Sequence, residues 1–386
     1  MSLQPIDSQQ RMQNLDVIRG FSLLGIFIVN MISFHSPFYY YDPYSWWGDS
    51  INRPTHWWID VFVQASFYPI FAMMFGAGLA IQFMRASEKN SAFTSFAIKR
   101  LVILLGIGIT HAFLVWSGDI LITYAVTGFI LIWMLKLSGT MLLTLGFIIY
   151  LLPQGLLTGI MFFASMVDPT SVTYFSSVQG IESSVANYGS GTFTQIFGQR
   201  LDDWQFANDP AAFVSIIIVI LPLMMIGAGA AKLNIFKRAS EKKTLLGILT
   251  VLFLGLGIAL KTSPFWGEKN LAYVFLQDYI GGPLVGMGYM TLLLLVMTVP
   301  VSLKLLQPLA KTGRMALTTY LTQSIIGTLI FYNYGFGLYG EVTLMTGTWI
   351  ALLIFAMQVI LAEIWLSKFN RGPVETLWRK LSYSRK

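Results

Sequence analysis

The sequence contains no cysteine and few charged residues, and each absence excludes a class of protein. Without cysteine among its 386 residues, the chain has no disulfides, no cysteine-ligated metal and no thiol nucleophile. Only 11% of the residues are charged, about half the fraction found in soluble domains. The ten-residue alternation of outer-membrane barrels is missing as well. With 55% hydrophobic residues, the composition indicates a helical membrane protein.

Ten apolar runs of about 20 residues predict an all-α polytopic transmembrane bundle. Residues 166–210 interrupt these runs, so we predict a five-helix half over 1–165, an extracytoplasmic loop over 166–210, and a second five-helix half over 211–386. The predicted spans are 15–34, 57–84, 99–117, 119–137, 141–165, 211–231, 244–263, 280–303, 315–334 and 344–367.

The positive charges indicate how this bundle is oriented. All but four of the 25 lysines and arginines fall at one face of the predicted layout. The exceptions are Arg53, Arg200, Lys261 and Lys269. Because lysine and arginine collect in cytoplasmic loops, we expect this face and both termini to be cytoplasmic. The pI of 9.4 then follows from membrane topology, and no nucleic-acid partner is needed to explain it.

Polar groups near the cytoplasmic ends of two spans form a predicted inner layer. Asp16 and Arg19 are three residues apart, on one face of the first helix. Lys311 and Arg314 lie in "KTGRMALTTYLTQS", just before a helix start that could bind phosphate. Both pairs have an alternative role as interfacial anchors. Gln323 lies at the end of the same stretch. It either lines a pore or forms a hydrogen bond between helices.

A second group of polar residues lies toward the outer ends of the spans. Ionisable groups at the membrane centre cost about 2.5–3.5 kcal/mol, so they usually face a cavity or each other. Histidine is the side chain best suited to act as a base near pH 7. Each of three residues also has a structural alternative. His111 could be a hydrogen-bonded core histidine, His35 a solvated loop histidine, and Asp119 an N-cap. The group contains Asn30, His35, Asp60, Gln64, His111 and Asp119.

Several motifs carry a resemblance to known families. "LDVIRGFSLLGIFIVN", "FYPIFAMMFGAG", "HAFLVWSGDILITY" and "FNRGPVETLWRKLSY" together resemble the bacterial YeiB family, whose members carry a domain of unknown function. The first motif also resembles heparan-α-glucosaminide N-acetyltransferase. That second resemblance implies acyl transfer across the membrane, with catalysis by an asparagine that ends the first helix and by a histidine after it. Asn30 and His35 are the matching positions, and His111 is the rival base.

We therefore predict a multi-pass protein of the bacterial cytoplasmic membrane that moves an acyl group from cytosolic acyl-CoA, such as acetyl-CoA, to an outer acceptor. His111 or His35 would be the base, Asn30 the oxyanion donor, and Asp119 the group that orients the imidazole. The alternatives are a transporter or lipid flippase, and a scaffold. The expected partners are membrane lipids, the acceptor and a second copy in a homodimer. No metal is expected, because the three histidines lack metal-ligand spacing. The expected acyl-CoA-binding residues are Asp16, Arg19, Lys311, Arg314 and Gln323.

Overall fold

The computed structural model describes residues 12–266 and 270–383, and in these residues the regular structure is entirely helical. Eight helical segments are long and apolar enough to cross a membrane, and two shorter apolar helices accompany them. The prediction of an all-α polytopic bundle is therefore confirmed. The two shorter helices correspond to the predicted spans 119–137 and 315–334.

Between residues 12 and 167 the structure describes seven helices, and one predicted span is divided. The span predicted over 57–84 is two helices, α3 and α4, joined by a turn in which Ala65 has a φ of +58°. Pro69 lies in the first turn of α4, where a proline loses no helical hydrogen bond. The helices are α1 (Gln13–His35), α2 (Pro43–Trp46), α3 (Asn52–Phe62), α4 (Phe67–Glu88), α5 (Phe93–Leu114), α6 (Leu121–Met134) and α7 (Gly139–Val167).

The segment predicted as a loop over 166–210 contains two helices, α8 and α9. Their N-termini are capped by Ser177 and by a Thr192–Gln195 capping box, a local signal visible in the sequence. Lys269, predicted to lie at the outer face, is outside the described residues. The later helices are α8 (Val178–Ser190), α9 (Phe193–Ala207), α10 (Pro210–Lys232), α11 (Lys243–Lys261), α12 (Leu271–Phe275), a π-helical turn (Leu276–Gly281), α13 (Gly282–Val296), α14 (Pro300–Leu305), α15 (Gln307–Arg314), α16 (Ala316–Phe331), α17 (Leu344–Lys368) and α18 (Pro373–Tyr383).

Two glycines allow α4 and α10 to cross with their backbones in contact. A Cβ atom at Gly76 would lie 2.0 Å from the carbonyl oxygen of Met224, and one at Gly227 would lie 1.8 Å from that of Met73. No side chain fits at either position, because carbon and oxygen atoms in contact are about 3.5 Å apart. Small residues are the usual means of such close approach in membranes. This crossing brings α4 and α10 into direct backbone contact inside the bundle.

A carboxylate from the last helix fixes the beginning of α16. Glu375 in α18 accepts hydrogen bonds from the backbone N–H groups of Leu317 and Thr318, at 2.7 and 3.0 Å. The first N–H groups of a helix have no partner within the helix, and a negative group there is favourable. The "RGPVETLW" motif thus positions α16, which carries one wall of the candidate site.

One end of the bundle is covered by a cap, which consists of residues 36–51, α8, α9 and residues 332–343. Backbone hydrogen bonds join its parts: Ser177 donates to Tyr40, Asn333 to Tyr188, and Gly340 to His35. The cap lies at the end that the charge pattern predicts to be extracytoplasmic. Within it Arg200 is fully buried, and its guanidinium donates to the Phe113 carbonyl at 3.0 Å.

Candidate active site

His111 and Asp119 form a buried pair where the chain turns from α5 into α6. His111 Nδ1 lies 2.7 Å from Asp119 Oδ1, and the two side chains are 2% and 0% exposed. The second oxygen of Asp119 accepts the backbone N–H of Ile122 at 2.8 Å. Gly108, on the preceding turn of α5, lets this carboxylate approach closely, since a Cβ there would lie 3.1 Å from Asp119 Oδ2.

The other nitrogen of this imidazole, His111 Nε2, is buried and has no hydrogen-bond partner among the described residues. The ring packs against Tyr320, with 5.2 Å between ring centroids, and against Trp116, at 6.2 Å. A buried polar atom without a partner costs about 1–3 kcal/mol, so such atoms call for an explanation. A reacting group that binds at this nitrogen would provide one.

Tyr320 completes the site, and the sequence did not single it out. Its hydroxyl donates to the Gly118 carbonyl and accepts from the Ile120 N–H, both at a long 3.4 Å. In the stretch "TTYLTQS", the sequence pattern pointed to Gln323 and not to this tyrosine. The tyrosine lies 200 positions after Ile120, and only the packing of α16 against the α5–α6 turn brings them together.

Helix α6 is short, and the His111–Asp119 pair lies beside its N-terminal end. Its 14 residues span about 21 Å, whereas the hydrocarbon core of a membrane is about 30 Å thick. If Met134 lies at one boundary of this core, we expect the α5–α6 turn to lie below the other. The cap packs against this region, since Arg200 of α9 donates to the Phe113 carbonyl at 3.0 Å.

A network of tyrosines and one carboxylate holds the cap together next to the α5–α6 turn. Asp203 in α9 accepts hydrogen bonds from Tyr40 and Tyr188, both at 2.7 Å, and from Gln199 at 2.8 Å. Burial raises the pKa of Asp203 above its usual value, and these three donors act in the opposite direction. Asp203 and Ser117 line one narrow crevice, which leads from the cap toward the turn between α5 and α6.

The outer polar group predicted from the sequence divides into separate hydrogen-bond networks. Asn30 is half-buried and makes no hydrogen bond to His111 or Asp119; its carbonyl accepts the Ser33 hydroxyl at 3.2 Å. His35 lines another cavity, beneath Trp47. The structure thus brings together two of the four predicted catalytic residues, His111 and Asp119.

Asp60 belongs to a third network, around the π-helical turn. It accepts from the Tyr44 hydroxyl at 2.9 Å and from Gln277 at 2.8 Å. Lys261, at the C-terminal end of α11, is fully buried and pairs with Asp278 at 2.8 Å. Gln64, half-buried, donates to the Asp278 carboxylate as well.

The predicted cofactor-binding residues divide between two regions. Arg19 lies 3.3 Å from Asp16 Oδ1 and 3.4 Å from the Met74 carbonyl oxygen. Arg314 donates to the Asn370 carbonyl at 3.0 Å. Lys311 forms an ion pair with Glu363, whose partner the sequence did not reveal.

Gln323 lies apart from these basic groups, inside the bundle. Its amide donates to Gln358 of α17 at 3.1 Å, while its carbonyl oxygen has no partner among the described residues. Gln358 in turn donates to the Thr319 carbonyl and the Thr322 hydroxyl. The pair joins α16 to α17, which is the interhelical role left open by the sequence. Within the described residues, no three acidic or histidine side chains are grouped closely enough to hold a metal ion.

Comparison with known proteins shows the family. Residues 230–385 match a family model described as "Protein of unknown function (DUF418)". The chain is 31% identical to the "Uncharacterized protein YxaH" of Bacillus subtilis, over 99% of this chain and 96% of that one. It is 27% identical to the "Uncharacterized protein YeiB" of Escherichia coli, over 97% and 96% of the two chains. These matches along the whole length show that the chain belongs to the YeiB family of membrane proteins.

Proposed function

We propose that this protein is an acyltransferase that uses His111 as a general base. One observation carries the proposal: Asp119 fixes one nitrogen of a buried imidazole at 2.7 Å, and the other nitrogen has no partner. A base held by a second group, with its other nitrogen free of a hydrogen-bond partner, is the arrangement that activates hydroxyl and amine nucleophiles. The neutral imidazole accepts a proton at Nε2 while Asp119 stabilises the cation that forms.

The reaction balances with these groups. His111 Nε2 removes the proton from an acceptor hydroxyl or amine, whose oxygen or nitrogen attacks the thioester carbonyl carbon. The resulting tetrahedral oxyanion collapses, the carbon–sulfur bond breaks, and the CoA thiolate takes the proton back from the imidazolium. Hydrogen-bond donors must face the oxyanion. Tyr320, whose hydroxyl makes only two long hydrogen bonds, is the candidate donor.

Acyl-CoA is the proposed donor, and the basic residues at the other end of the bundle would bind its phosphates. Arg19 is 24% exposed on its side chain and lies beside Gly78, where a Cβ would be 3.2 Å from its guanidinium. Arginine binds phosphate through a planar fork of N–H donors. Arg314 and Lys311 are the further candidates, and Lys311 pairs with Glu363 as Arg19 pairs with Asp16. The acyl arm would then have to extend from this end of the bundle to His111 Nε2.

Transport, or lipid flipping, is the second candidate function, and the network around Lys261 favours it. Lys261 is fully buried, and Asp278 and Asp60 lie in the same network. Ionisable groups inside a membrane protein commonly mark ion or substrate pathways. Asp278 also lies in a π-helical turn, a feature often found at functional sites.

Thermal stability in the presence of acetyl-CoA separates the two functions. A ligand at 100 times its Kd stabilises the folded state by about 2.7 kcal/mol. We expect acetyl-CoA and CoA to raise the Tm of the purified full-length protein in detergent. The variant Arg19→Gln should show a smaller rise, while the exposed Lys243→Gln control should match the unmodified protein. A Tm that does not change up to millimolar acetyl-CoA would contradict the proposed donor and favour transport.

A further inference from the structure

A second cavity lies at the outer end of α1, apart from the His111–Asp119 pair. Its volume is about 270 Å³, just below the usual range of ligand pockets, which begins near 300 Å³. A head group fits in this volume, whereas a long chain does not. We call it the tryptophan pocket. Among its lining residues are His35, Trp46, Trp47, Asn52, Glu341 and Thr343.

His35 is the polar group buried deepest in this pocket. The residue is 1% exposed, and neither ring nitrogen has a hydrogen-bond partner among the described residues. The ring packs between Trp47 and Phe331, with centroids at 5.9 and 5.6 Å. Gly347 confines it from the side of α17, because a Cβ there would lie 2.6 Å from His35 Nε2. An imidazole held in this way offers a hydrogen bond that the protein itself does not use.

The other walls of the pocket favour a positive ligand. Trp46 and Trp47 are perpendicular, with 6.2 Å between ring centroids, and thus form two adjoining aromatic walls. Tryptophan faces attract ammonium groups more strongly than other aromatic rings do. Among the described residues that line the pocket, Glu341 bears the only permanent charge, and it is negative.

The beginning of α17 also borders the pocket, but two of its N–H groups are already occupied. Leu344 donates to the Asn52 side chain at 2.8 Å, and Thr346 donates to the Thr343 hydroxyl at 3.1 Å. Helix N-termini bind anions through such N–H groups when they are open. With these donors used and Glu341 nearby, the pocket does not suit an anion.

We propose that the tryptophan pocket binds a primary ammonium group. Its N–H donates to the accepting nitrogen of a neutral His35, its charge faces Trp46 and Trp47, and Glu341 balances that charge. A quaternary ammonium would use the tryptophans but leave His35 without a hydrogen bond. The ammonium could belong to the head group of a phospholipid or to a soluble amine. This site does not depend on acyl transfer, because its contacts involve neither His111 nor acyl-CoA.

Ethanolamine is the probe for this proposal, tested by saturation-transfer NMR on the full-length protein in an uncharged detergent. We expect saturable millimolar binding, since so few ligand atoms give little affinity. Tetramethylammonium should bind more weakly and ethylene glycol should show no saturable binding. Glu341→Gln should weaken ethanolamine binding about twofold to fivefold, and Trp46→Leu about twofold to thirtyfold. Glu182→Gln, an exposed carboxylate on α8, is the matched control and should leave the affinity unchanged.

Nanodiscs distinguish the two sources of the ammonium group. If phosphatidylethanolamine in a phosphatidylcholine disc removes the ethanolamine signal, the ligand is a lipid head group. If the signal persists, the ligand is a soluble amine. The proposal is overturned if ethylene glycol binds as tightly as ethanolamine, or if Glu341→Gln and Trp46→Leu both leave the affinity at the level of the Glu182→Gln control. If the unmodified protein binds ethanolamine but does not turn over acetyl-CoA, only the acyltransferase function is rejected.

Discussion

Replacing His111 by glutamine is expected to lower acyl transfer about 100-fold to 10,000-fold, the usual contribution of a positioned general base. Glutamine fills most of the buried volume but cannot accept and return a proton at neutral pH. Asp119→Asn should give a similar loss, because an amide cannot stabilise the imidazolium and can favour the wrong tautomer. The measurement is release of free CoA thiol from acetyl-CoA, with a bacterial envelope extract as the source of acceptors.

The matched control for this prediction is another buried histidine. His56 is 8% exposed and packs against Tyr44, in a different network from the candidate site. His56→Gln is therefore expected to retain the CoA release of the unmodified protein. Equal CoA release by His111→Gln and His56→Gln would contradict the proposed base.

The variant Gly227→Ala is expected to have the largest effect on stability. Its new methyl group would lie 1.8 Å from the Met73 carbonyl oxygen, so α10 and α4 would have to move apart by more than an ångström. Overpacking commonly costs about 1–3 kcal/mol, and a clash with backbone falls at the upper end or beyond. We expect a marked loss of folded protein on extraction and a lower Tm in what remains.

A matched glycine on α7 provides the control for this effect. Gly155 has no atom within 4 Å of the position its Cβ would occupy. Alanine there should keep the Tm or raise it slightly, since alanine favours helix by about 1 kcal/mol over glycine. If Gly227→Ala were as stable as Gly155→Ala, the close crossing of α4 and α10 would be wrong.

Hydropathy was sufficient to predict eight of the ten spans at full length, because burial in lipid leaves a local signature of about 20 apolar residues; the other two are shorter helices, Leu121–Met134 and Ala316–Phe331. The division of 57–84 into α3 and α4 was not predictable in this way. The turn at Ala65 contains no glycine or proline, and its carbonyl packs against Gly282, more than 200 positions away. Such a break depends on tertiary packing, and hydropathy does not report it.

The candidate site shows the same division between local and distant information. His111 and Asp119 are eight residues apart, and the "SGD" turn between α5 and α6 folds one back onto the other. Tyr320 and Asp203 come from α16 and α9, and no local pattern links them to that turn. Asp60 and His35 were predicted to lie with the pair because they have a similar depth in the membrane. The sequence predicts the depth of a residue along its helix, but not which neighbouring helix its side chain faces.

The most direct test of the proposed function is the sidedness of the reaction in proteoliposomes of known protein orientation. Labelled acetyl-CoA is supplied on the side of the lysine- and arginine-rich loops, and the envelope extract is enclosed on the other side. We predict that labelled acetyl groups reach the extract while free CoA stays with the donor, and that His111→Gln slows this transfer at least 100-fold. Transfer at the same rate in the variant, or passage of intact acetyl-CoA, would contradict the proposed mechanism.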